Sequence, residues 1–146
     1  EIRPMEVSDI DGIAEIEKEC FSAPWSRNGI SEELDNENAH FLAAVCDNRV
    51  LGYIGVHEVC GEAYIDNIAV RSEYRQLGLG EKLLIAAQEG AFSRKCEFIS
   101  LEVRKSNSAA LSLYEKLGYE KVGERKNFYT DPQEDAVIMT LKECDS

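Results

Sequence analysis

The chain has 146 residues, 44% hydrophobic and 30% charged, and its 16 Lys and Arg against 28 Asp and Glu give a formal net charge of −12. That length supports one continuous core spanning residues 1–146 and is short for two. The negative balance argues against loose association with a nucleic-acid backbone or an anionic membrane, and it suits a basic polypeptide or a cationic amine as partner.

Residues 1–5 read as a short first strand. Ser8 or Asp9 can cap a helix running to Cys20, in which Ile10, Ile13, Ala14, Ile16 and Glu17 fall at helical spacing, with Ile13 and Ile16 on the buried side. Pro24 breaks that pattern, and Ser26 can cap a second helix over residues 28–37 with Ile30 and Leu34 on its face. Trp25, in the linker between them, suits a cover for the core or a substrate wall. Residues 41–46 form a strand, Asp47-Asn48-Arg49 a turn, and residues 50–59 and 63–70 two further strands, an antiparallel unit built from local connections.

Strand and helix then alternate: a helix over 79–92, a strand over 98–103, and a helix capped by Ser106 or Asn107 that runs to Leu117 and is closed by Gly118. Strands over 119–123 and 135–141 complete the sheet on either side of a polar segment, 125–134. The expected fold is α/β, a mixed and largely antiparallel sheet with helices on both faces rather than a doubly wound parallel one.

Five cysteines, Cys20, Cys46, Cys60, Cys96 and Cys144, include no CxxC pair. An odd, widely spaced set points to a reducing, cytoplasmic compartment and away from a disulfide framework. Together with His40 and His57 they lack metal-ligand spacing, so no metal is expected. No stretch has the basic start, apolar run and cleavage site of a secretory signal, and the apolar runs are short for a bilayer, so neither secretion nor membrane anchoring is expected.

Arg75-Gln76-Leu77-Gly78-Leu79-Gly80 follows the strand-like Ile65-Asp66-Asn67-Ile68-Ala69-Val70 and opens into a helical stretch. Gly78 and Gly80 let main-chain N–H groups approach a ligand, and the helix N-terminus with the charge of Arg75 can hold a pyrophosphate. A tight turn without a ligand has the same composition. On the strand Leu101-Glu102-Val103-Arg104, alternation puts Glu102 and Arg104 on one face, where Glu102 can accept a proton or pair with Arg104 or Lys105. Asn107, Leu111, Tyr114 and Gly118 share one helical stripe. Tyr114 there suits proton donation to a leaving group, or half-buried packing.

Together, Ile68-Ala69-Val70, the glycine turn, Leu101-Glu102-Val103-Arg104 and the run from Asn107 through Tyr119 closely resemble the GCN5-related N-acetyltransferase (GNAT) family, over nearly the full chain. Phe21-Ser22-Ala23-Pro24-Trp25-Ser26 and Arg125-Lys126-Asn127-Phe128-Tyr129 narrow the resemblance to members that acetylate the starting alanine of a small-subunit ribosomal protein. The resemblance implies the GNAT acyl-CoA N-acyltransferase fold and acetyl-CoA as cosubstrate. Its pyrophosphate would lie on the amides of Leu77 through Gly80 with Arg75 and Gln76, and its pantetheine arm along Ile68, Ala69 and Val70. Asn107 resembles the cofactor-side asparagine, Glu102 the general base and Tyr114 the general acid, while Trp25 and Tyr129 would border the peptide N-terminus. Leu77 departs from the polar or basic residue common there, a change that main-chain donors tolerate.

The implied partner is a basic protein N-terminus, with no direct nucleic acid and no membrane. An α-amine near ~7.7 is easier to present neutral than a lysine near ~10.4, by roughly 3.7 kcal/mol, which suits N-terminal acetylation by a modest base. A polyamine or amino-sugar N-acetyltransferase, and a non-catalytic acyl-CoA-binding module, would share the same cofactor half.

Overall fold

Seven strands form one sheet in the computed structural model, which describes residues 1–21, 24–75, 77–130 and 132–142. The strands are β1 (Ile2–Pro4), β2 (Ala39–Cys46), β3 (Arg49–Val59), β4 (Glu62–Val70), β5 (Phe98–Arg104), β6 (Glu120–Tyr129) and β7 (Glu134–Lys142), in spatial order β1-β2-β3-β4-β5-β7-β6. Every neighbouring pair is antiparallel except β4 with β5. Four helices, α1 (Ile10–Cys20), α2 (Arg27–Leu34), α3 (Leu79–Ser93) and α4 (Ser108–Lys116), cover the two faces. The mixed, largely antiparallel architecture expected from the sequence is the one observed.

Pleat alternation divides the core in two. On β2, Phe41, Ala43 and Val45 join Ile10, Ile13, Ala14 and Ile16 of α1 and Ile30 of α2. Leu42 and Ala44, between them, join Leu83, Leu84, Ala87 and Ala91 of α3 on the other face. Ile13 and Ile16 are fully buried, as their helical spacing predicts, and each such side chain contributes about 1.5–3 kcal/mol relative to exposure.

Local signals set most element ends. The Ser26 hydroxyl accepts from Gly29 N at 3.0 Å to cap α2, and Asn107 Oδ1 accepts from Ala110 N at 3.1 Å to cap α4. Gly118 follows α4 with φ +99°. Asp47 (φ 51°) and Asn48 (φ 65°) make a two-residue hairpin turn, so Arg49 belongs to β3 rather than to the turn.

Most bounds shift by a residue or two from the sequence expectation, and three differences have a visible cause or a larger size. Asp9 precedes α1 without capping it, because its carboxylate binds Arg3 Nη1 at 2.6 Å and accepts from Glu6 N at 2.8 Å. Helix α2 ends at Leu34 rather than at residue 37. Residues 125–129 extend β6 instead of forming a loop: Arg125 pairs with Ala136 and Tyr129 with Glu134 of β7, and Asn127 N, in the irregular stretch between them, donates to Asp135 Oδ1 at 2.9 Å.

One irregularity shapes the middle of the sheet. Gly55 of β3 pairs with Asn67 and Val56 with Ile65, so Asp66 is an extra residue in β4, a β-bulge. On its other side β4 pairs with β5 only through Glu62↔Phe98, Ala63↔Ile99 and Tyr64↔Ser100. From Ile65 onward the two strands part.

Candidate active site

The parted strands enclose a cleft of about 1110 Å³, walled by residues 64–68 of β4 and 100–104 of β5. Bulges recur where a strand must leave its neighbour and re-aim its side chains, and Asp66 sits where β4 does so. The cleft brings together Ile68, Glu102, Asn107, Tyr114, Trp25 and Tyr129 of the residues expected from the sequence.

Main-chain groups supply one wall. Arg71 N donates to Leu51 O of β3 at 2.9 Å, whereas Val70 O accepts from Arg75 Nε at 3.2 Å, on the side away from β3. Successive peptide groups of a strand face opposite sides, so Ile68, two residues before Val70, also turns its N–H and C=O toward the gap. Ala69 turns its main chain to β3 and buries its side chain among the α1-side core residues.

Carboxylate and phenol reach the cleft from opposite faces. Leu101 and Val103 of β5 are buried with Tyr114 in the α3-side core, so Glu102 between them points to the α1 side. Its side chain is 27% exposed and meets Arg125 Nε at 3.3 Å. Arg104 and Lys105, the partners open to Glu102 from sequence, pair with Glu134 at 3.4 Å and Glu124 at 3.0 Å instead.

Tyr114 is 7% exposed, and burial raises its phenol above the ordinary tyrosine value. Among the described residues its hydroxyl has no hydrogen-bond partner, so its proton is held and uncommitted. Tyr129 has the Arg104 guanidinium 4.5 Å above its ring, and burial, then the Glu102 charge, push its phenol up to about 12. Arg104 also donates to Pro132 O at 2.8 Å and Thr130 O at 3.2 Å, fixing the turn that carries Tyr129.

The glycine turn lies past the cleft, between the end of β4 and α3. Gly78 takes φ +77° directly before the helix, and a Cβ built there would meet nothing within 4 Å, so the left-handed backbone is what requires glycine. Leu79 and Gly80 begin α3, where the first N–H groups have no partner inside the helix. Leu77 is 68% exposed, and Gln76 lies outside the described residues. Arg75 is turned back onto β4, donating to Val70 O and lying 3.2 Å from Cys20 Sγ. Among the described residues no group of His, Cys, Asp and Glu is arranged to hold a metal ion, and no helix is long and apolar enough to cross a membrane.

Sequence reasoning gave no role to Glu17, which lines the same cleft at 1% exposure. It accepts from the Tyr53 hydroxyl, from Asn67 Nδ2 at 3.0 Å and from Trp25 N at 3.4 Å. The signal was a carboxylate at the buried spacing of α1, four residues after Ile13.

The sequence model described as the acetyltransferase (GNAT) family matches residues 10–119. A Bacillus subtilis protein, provisionally named a [ribosomal protein bS18]-alanine N-acetyltransferase, is 43% identical over 139 residues, 94% of this chain and 92% of its own length. The Escherichia coli K12 [ribosomal protein bS18]-alanine N-acetyltransferase is 33% identical over 142 residues, 96% of this chain and 95% of its own. A crystal structure of the ribosomal-protein-S18-alanine N-acetyltransferase from Escherichia coli superposes with a TM-score of 0.90 at 32% identity, covering 100% of this chain and 95% of that one.

Proposed function

The chain belongs to the acetyltransferase (GNAT) family and is an acetyl-CoA-dependent N-acetyltransferase, and from that premise we propose that it acetylates the N-terminal α-amine of a protein, the alanine of ribosomal protein bS18. The observation that carries the chemistry is that Glu102 and Tyr114, from opposite faces of the sheet, line one cleft beside the free main chain of Ile68. The acceptor follows from the names of relatives that match this chain almost end to end.

In this reading the neutral amine attacks the thioester carbonyl, the C–S bond breaks, and positioning supplies much of the rate. Glu102, directly or through water, takes the proton the amine loses. Tyr114 gives its proton to the departing sulfur, burial keeping that proton on the phenol until then, and the Ile68 N–H faces the oxyanion that develops in between. Ile68 and Val70 line the path of the pantetheine arm, and Ala69 between them holds the strand to β3. Gln76, Leu77, Gly78, Leu79 and Gly80 hold the pyrophosphate end, where the open space around Gly78 leaves main-chain donors accessible, and Arg75 joins them on releasing Val70 O. Asn107 stands on the cofactor side, and Trp25 and Tyr129 border the peptide.

The test is a panel of acceptors with acetyl-CoA: a basic peptide beginning with alanine, the same peptide with its α-amine blocked, free lysine and polyamines. The expected product is the first peptide carrying acetyl on its α-nitrogen by mass spectrometry. Transfer to a polyamine alone would replace this reading with the small-molecule one.

A further inference from the structure

Three aromatic rings stack beside the cleft: Trp25 on Phe41 at 5.7 Å between centroids, and Phe41 on Tyr53 at 6.3 Å. Phe41 can lie flat because it is paired with Gly55, where an added Cβ would meet its ring at 2.6 Å. Both ends of this stack are held by one side chain. Glu17 Oε1 accepts from the Tyr53 hydroxyl and Oε2 from Trp25 N, at 3.4 Å. Oε1 also accepts from Asn67 Nδ2 at 3.0 Å, and Asn67 directly follows the bulge residue Asp66 and precedes Ile68.

A carboxylate that is 1% exposed is costly to bury, and an apolar residue at the same place in α1 would join Ile13 and Ile16 without that cost. Its use lies in what it accepts. Tyr53 is a fully buried phenol whose pKa is raised by burial first and by Glu17 second, so it remains a donor at every working pH. Trp25 N is a main-chain donor in the linker between α1 and α2. An acidic side chain is the one type of that size able to accept from all three donors, because an amide must turn its NH2 toward one of them.

We propose that Glu17 is a positioning residue, fixing the Trp25 wall of the acceptor site at a set distance from β4 by clasping both ends of the Trp25–Phe41–Tyr53 stack. The inference rests on the proposed peptide acceptor for its kinetic consequence but not for its structural one. Trp25 is the one tryptophan of the chain, so its fluorescence reports the wall without any activity being needed.

Two variants test it. Glu17→Gln keeps the shape and opposes one donor. The pair Glu17→Met with Tyr53→Phe removes acceptor and buried hydroxyl together, leaving Trp25 N and Asn67 Nδ2 without that acceptor. In both, acrylamide quenching of Trp25 is expected to rise at least twofold. KM for the alanine-starting peptide should rise at least fivefold, and acetyl-CoA affinity should stay within twofold. Unchanged quenching overturns the proposal, as does changed quenching with an unchanged peptide KM, or a parallel loss of acetyl-CoA affinity. Loss of the fold in both variants overturns it too, since the carboxylate is then purely structural. A wild-type protein that acetylates no peptide removes the proposed acceptor, while the quenching result still decides whether Glu17 holds the wall.

Discussion

Glu102 and Tyr114 differ in how the protein prepares them. Glu102 is partly open to solvent and already paired, so in its proposed role it would be shared between a substrate amine and Arg125. Tyr114 is buried with a free proton and a raised pKa. Glu102→Gln and Tyr114→Phe should each lower kcat by about 10²-fold, the usual worth of a positioned acid or base, while acetyl-CoA affinity measured by calorimetry stays unchanged. Since the phenol titrates above its ordinary value, the wild-type rate should climb with the neutral fraction of the amine and show no downturn from Tyr114 below about pH 10. A downturn near neutrality that vanishes in Tyr114→Phe would remove the phenol from its role as acid.

Much of this was legible residue by residue, because Glu102 and Tyr114 carry their context in a few neighbours on one strand and one helix stripe. Glu17 was not, since its donors come from Trp25, Tyr53 and Asn67, the last of them fifty residues along the chain. The Arg125 partner of Glu102 was equally hidden, because it arrives on β6, beyond β7 in the sheet order.

At the level of elements, a histidine joins three of them. His57 of β3 meets Asp66 of β4 through Nδ1 and Glu33 of α2 through Nε2, the latter at 2.6 Å. Burial alone would lower the imidazole pKa, but the two carboxylates outweigh it and the net shift is upward. A group with a raised folded pKa contributes its full stability below its unfolded value, about 6.5, and loses it as pH rises through the folded value. Asp66, raised chiefly by its burial, has the same sign at lower pH. Melting temperature should therefore fall as pH rises past about 6.5, and His57→Gln should flatten that slope, as thermal denaturation across the range would show. A slope that survives the substitution would assign the pH dependence elsewhere.

Elements were readable where a single residue decides an end, as Ser26, Asn107 and Gly118 do. They were misread where partners decide. Residues 125–129 lie on an edge strand exposed on both faces, so no apolar alternation marks them, and their pairing with β7 is visible only once the sheet exists. Asp9 has the right residue type for a cap, yet Arg3 claims its carboxylate.

The whole molecule adds its charge. A net −12 raises the local concentration of cationic acceptors, an effect that salt screens over about 10 Å at 0.1 M. For a basic alanine-starting peptide, kcat/KM should fall at least about fivefold between low and high ionic strength, whereas a neutral peptide of the same first residue should change little. Equal salt dependence for the two peptides would confine recognition to the cleft.

The bulge at Asp66 has a consequence for what the sheet can tolerate. A version of β4 shortened by that one residue would regain an unbroken ladder with both neighbours, and its helices could settle on either side much as before. Asn67, still opposite Gly55, would keep its face, while the peptide groups at Ile68 would be drawn toward β5. On the proposed reading, such a chain would keep its architecture and lose the place for a thioester. Catalytic competence would then hang on a miscount between two strands.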